Sequence, residues 1–97
     1  MMIKAQIPTP AGNDAIKDGS LPRIIASVLE SLKAEAAYFT AEDGMRTALI
    51  FFEVDDSSAI PPASEPLFMG LDAHVTWAPV MNADEMRAGV EKAMAHA

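Results

Sequence analysis

The chain has 97 residues, one domain's worth, with 51% apolar side chains, no cysteine and a formal charge of −7 from fourteen acidic against seven basic residues. That balance excludes polyanionic partners, because nucleic acids and anionic membrane surfaces are held by surplus Lys and Arg. The lack of cysteine removes disulfides, thiolate nucleophiles and cysteine zinc sites, and no apolar run reaches the roughly 20 residues that span a bilayer.

The first predicted element is a strand from Met2 to Ile7, with Ile3, Ala5 and Ile7 on one side and Met2, Lys4 and Gln6 on the other. Pro8 and Pro10 end it, and Thr9–Asn13 reads as a loop entering a helix at Asn13. Gly19, Ser20 and Pro22 mark a fresh helical start with Ser20 as cap. From there Leu21, Ile24, Ile25, Val28, Leu29 and Leu32 form one apolar stripe at helical spacing. A strand over Glu35–Thr40, a hairpin turn over Ala41–Met45 around Asp43-Gly44, and a returning strand over Arg46–Val54 follow.

The returning strand is apolar on both faces, with Ala48, Ile50, Phe52 and Val54 opposite Leu49 and Phe51. Asp55–Gly70 reads as a helix that Pro66 splits in two, the second piece opening near Ser64. Ala73–Val80 is a last strand, with Val75 and Trp77 opposite His74, Thr76 and Ala78. Asn82 and Glu85 have the spacing of a capping box. The helix they open carries Met86, Val90, Ala93, Met94 and Ala97 on one face. The order β-α-β-β-α-β plus a C-terminal helix predicts a ferredoxin-like α+β fold, one domain over residues 1–97. Helices on one side of such a sheet bury only that side, so a second copy of the chain is the economical cover for the other. A homodimer is therefore expected. The start, Met1-Met2-Ile3-Lys4, lacks the regions of a signal peptide, and a cytoplasmic protein is the default expectation.

The segments Asp18-Gly19-Ser20-Leu21-Pro22, Glu35-Ala36-Ala37-Tyr38-Phe39-Thr40, Arg46-Thr47, Glu65-Pro66-Leu67-Phe68 and Pro79-Val80-Met81 resemble small uncharacterised bacterial proteins of the dimeric α/β-barrel superfamily. The resemblance covers nearly the whole chain. It implies two ferredoxin-like sheets facing each other across a dimer. The superfamily includes cofactor-free and haem-degrading monooxygenases, muconolactone-isomerase-like enzymes, stress-induced proteins and members without known activity, so the fold alone names no function. The Asn-Trp-His set of the haem-degrading branch has no counterpart here.

Alternation places Ile3, Ala5, Ile7, Phe39, Ile50, Phe52, Val75 and Trp77 under the helices. Lys4, Gln6, Tyr38, Leu49, Phe51, Glu53, His74 and Thr76 fall on the other face. Apolar walls with a few polar groups make a small-molecule site, with Lys4, Gln6, Tyr38, Phe51 and Thr76 as ligand-binding candidates. His74 and Glu53 are the candidate acid–base pair, with Tyr38 beside them. The structural alternative is an interface whose polar groups pair across a symmetry axis, with Lys4–Glu53 an ordinary cross-strand ion pair. Arg46, beside the hairpin turn, can clamp an anion or stay solvated. His96 suits a helix C-terminus, no metal-ligand spacing exists, and neither metal nor cofactor is expected. Met69, Met81, Met86 and Met94 read as core filler. Three functions stay open: a small-molecule binding or sensing protein, a cofactor-free monooxygenase- or isomerase-like enzyme using His74, and a purely structural association module.

Overall fold

The alternating N-terminal segment builds the middle of the sheet. In the computed structural model, which describes residues 1–96, strand β1 (Met2–Ile7) pairs antiparallel with both β3 (Met45–Phe51) and β4 (His74–Ala78). Strand β2 (Ala36–Glu42) pairs antiparallel with β3, giving the order β2-β3-β1-β4. Four helices complete an α+β architecture compatible with a ferredoxin-like arrangement: α1 (Thr9–Lys17), α2 (Ser20–Leu32), α3 (Ile60–Leu71) and α4 (Ala83–Ala95).

Helix α1 begins where a loop was expected. Pro10 lies in its first turn, where a missing N–H costs nothing, and Gly12 N–H donates to the Pro8 carbonyl at 2.9 Å. Gly19, at φ 79°, turns the chain from α1 into α2. The Asp18 carboxylate, not the Ser20 hydroxyl, satisfies the Ser20 backbone N–H, at 2.8 Å. The stripe of α2 faces inward as read: Val28 is buried, and Leu21, Ile24, Ile25, Leu29 and Leu32 pack against the core.

The hairpin turn is tighter than the sequence suggested. Only Asp43 and Gly44 form it, at φ 54° and 75°, a pair of positive angles whose twist matches that of the flanking strands. Strand β2 therefore extends to Glu42, while β3 ends at Phe51. A short 3₁₀ turn at Ser57–Ala59 precedes α3, which then runs unbroken through Pro66 to Leu71. The expected break near Ser64 does not occur. Ser64 is buried and accepts a hydrogen bond from Trp77 Nε1 at 2.8 Å, which ties α3 to β4 at that point. Pro66 forfeits one helical bond to the carbonyl of Pro62.

The core lies between one sheet face and α1–α3. Ile3, Ala5, Ile7, Ala48 and Ile50 meet Ala15, Val28, Ala63, Leu67 and Leu71, with Phe52 edge-on to Trp77 at 5.3 Å. Phe39, expected under the helices, is instead 60% exposed, because no helix covers the outer strand β2 at that point.

Helix α4 has the capping box read from the sequence: Glu85 N–H donates to Asn82 Oδ1 at 2.8 Å, and Asn82 N–H to Glu85 Oε1 at 3.0 Å. Every residue from Pro79 to His96 is nonetheless exposed. Met69, Met81, Met86 and Met94 are accordingly surface residues, which corrects their reading as core filler. Ala97 lies outside the described residues. Among those described, no helix is long and apolar enough to cross a membrane.

Two measurements check this packing. Phe52→Ala should cost about 3–5 kcal/mol in urea unfolding followed by Trp77 fluorescence; a cost under about 1 kcal/mol would contradict the burial of Phe52. The carboxyls of Asp18 and Asp56 are held below the usual range by the hydroxyls and then the backbone N–H groups of Ser20 and Ser58. Their folded values are lowered, so their stabilisation is present above the ordinary aspartate value of about 3.9 and disappears as pH falls through the folded one. Carbon-detected NMR titration should give both midpoints below those of the same residues in the urea-unfolded chain.

Candidate functional site

Strand register decides which predicted site residues meet. One row across the open face reads Tyr38, Leu49, Lys4, Thr76, and the next reads Thr40, Thr47, Gln6, His74. Phe51 continues the face beside Met2 and Ala36. Lys4, Gln6, Tyr38, Phe51, His74 and Thr76 thus share one face, and the Tyr38 ring meets that of Phe51 edge-on at 6.1 Å.

They do not converge on one point. Tyr38 and His74 sit on opposite edge strands, three interstrand steps or ~14 Å apart. Glu53 lies beyond the end of β3, toward the Met2 end of β1, whereas His74 pairs with Gln6 near the other end. Within one chain these three form no acid–base constellation. Lys4 bonds to Glu42 at 2.6 Å rather than to Glu53, reaching diagonally across β3 over the buried Thr47.

A concavity opens on the opposite face. A groove of about 410 Å³ opens between α1, α2 and the β2–β3 side of the sheet. Its apolar walls come from Ile7, Ile16, Leu21, Ile25, Phe39 and Ala48. Small side chains create it: Ala48 stands between Ala5 and Phe39 in register, so β3 offers a low floor there. Ile16 and Phe39, 51% and 60% exposed, form part of its rim.

One charged side chain lines this groove, and it is Arg46. Pairing with Ile7 and Ala41 places Arg46 on the helix-covered face. Its guanidinium lies against α1 where Gly12 has no side chain; a Cβ at that position would stand 2.6 Å from Nη1. Nη2 donates to Asn13 Oδ1 at 3.0 Å. No carboxylate lies within ion-pair distance of Arg46 among the described residues. No cluster of three or more His, Asp or Glu is placed to hold a metal among them either. The groove therefore offers apolar surface and one unneutralised cation.

The sequence singled out Arg46 but gave no sign of the groove. Gly12 was the available signal, and inside an apparent Pro/Gly loop it read as punctuation rather than as a seat for another side chain. Comparison with known proteins adds nothing to this geometry: no family model, curated protein or solved structure matches the chain.

Gly12→Ala tests the seat. The nearest obstructing atom is the end of a flexible side chain, and Ile7 Cγ2, 3.3 Å from the added Cβ, must give by only a few tenths of an ångström, so the variant should still fold, at a cost of no more than about 2 kcal/mol. Arg46 should swing off α1, and its Nε–Hε NMR resonance should shift; an unmoved resonance would contradict the contact.

Proposed function

We propose that the protein is a homodimeric small-molecule binding or sensing protein of dimeric α/β-barrel type, whose ligand occupies the groove beneath α1 and α2. The observation that carries this reading is the groove itself. Its volume falls within the range of small-molecule sites, its walls are mostly apolar, and a single charged anchor is available to orient a guest. The absence of an acid–base pair or acidic side chain from its lining favours binding over turnover.

The dimer is supported by what the chain leaves bare. Tyr38, Leu49 and Phe51 lie side by side on the sheet face that no helix covers, with Tyr38 63% exposed. Helix α4 shows Met86, Val90 and Met94 to solvent. Face-to-face packing of two such sheets buries the first set on both copies at once, as a two-fold interface requires.

Light scattering behind size exclusion should report a dimer, and Leu49→Glu should shift it to a folded monomer by placing two carboxylates in the interface. Native mass spectrometry of protein taken gently from its own host should show the dimer carrying a defined extra mass. Ile25→Trp, which fills the groove from α2, should lose that mass and keep the dimer. A monomeric parent protein would remove the facing-sheet arrangement; an extra mass that survives Ile25→Trp would remove the groove as its site.

A further inference from the structure

We infer that the groove selects a small amphiphilic monocarboxylate, its carboxylate gripped by Arg46 and its apolar body lying along Ile7, Ile25, Ala48 and Phe39; this rests on the reading of the groove as a ligand site. Charge is the first reason. The chain has twice as many acidic as basic residues, yet Arg46 meets a neutral amide and no carboxylate among the described residues. A guanidinium has five N–H donors in a planar fork that matches a carboxylate. The bond to Asn13 Oδ1 uses one of them and leaves the charge in place.

Geometry is the second reason. Gly12 lets the guanidinium lie close against α1, and Asn13 on the same helix accepts a hydrogen bond from it. The half-buried cation is thereby tethered beside the apolar groove that it helps to line. A guest with its charge at one end and hydrocarbon at the other satisfies both parts. An uncharged apolar guest satisfies only the walls.

The anion's charge is limited too. Arg46 alone among the lining residues is charged, so it balances one negative charge, and a net charge of −7 repels ligands that carry more. Cations find no acidic group in the lining.

The test is a ¹H–¹⁵N NMR titration of the full chain with octanoate and, separately, with octan-1-ol. Octanoate should bind at least tenfold more tightly, with the largest shifts at Ile7, Ile25 and Ala48. Arg46→Gln should erase that advantage and leave octanol affinity unchanged, while Arg46→Lys should retain part of it. Gly12→Ala, which moves the guanidinium without removing it, should also weaken octanoate selectively. Equal affinity for the two probes, or an octanoate preference unaffected by Arg46→Gln, would overturn the monocarboxylate inference and leave the groove intact as an apolar site. Failure of both probes to bind the parent protein would overturn the groove reading itself.

Discussion

Helices α1–α3 meet the sheet through Ile3, Ala5, Ile7, Ala48 and Ile50, and the position of that seam governs the rest of the molecule. The half-buried bond from Trp77 Nε1 to Ser64 Oγ, with Phe52 packed edge-on against the same indole, fastens α3 at the β4 edge. A helical layer anchored at one edge leaves any shortfall in cover at the other. That other edge is β2, where Phe39 points to the helix side and finds no helix above it. With alanine rather than a larger residue at position 48, the uncovered strip deepens into a groove.

Arg46 follows from the same arrangement. Its strand position places it on the helix side, where a long cationic side chain needs somewhere to lie. Gly12 provides the space and Asn13 the hydrogen bond. An aspartate at position 13 would have satisfied the guanidinium more strongly, through a charge-assisted bond. It would also have cancelled the charge. A neutral amide orients the group and leaves its field available to a guest.

Much of the fold was legible because it obeys local rules. Period-two alternation gave the buried sides of β1 and β3, the 3.6-residue stripe gave the inner face of α2, and Asn82 with Glu85 marked the start of α4. The misreadings came from proline and from tertiary contact. Pro10 looked like a stop and serves in a helix's first turn, and Pro66 looked like a break that the Ser64–Trp77 bond and the burial of Leu67 override. Methionines at helical spacing on α4 looked like core, but periodicity reports an apolar stripe and not what lies against it. Lys4, Gln6, Tyr38, Leu49, Phe51, His74 and Thr76 were assigned to the right side, whereas Glu53 lies past the end of β3 and on neither face, and alternation carries no information about lateral distance. Only the strand order shows that Tyr38 and His74 occupy opposite edges. The groove was illegible for a related reason: it arises from cover that is missing, and no residue pattern encodes an absence.

The two surfaces that matter most are the two sides of the same strands. On β3, Arg46 and Ala48 belong to the groove side, while Leu49 and Phe51 belong to the open side; on β2, Phe39 and Tyr38 divide the same way. Side chains on a strand alternate through a single backbone, so a guest that moved β3 or β2 by a fraction of an ångström would shift Leu49, Phe51 and Tyr38 with it. The buried Ile3, Ala5 and Ile7 of β1 resist such movement at the centre of the sheet, whereas β2 is an edge strand with one neighbour and little cover. Phe39 and Tyr38, adjacent residues of β2 facing opposite ways, therefore belong to the least constrained strand of the sheet.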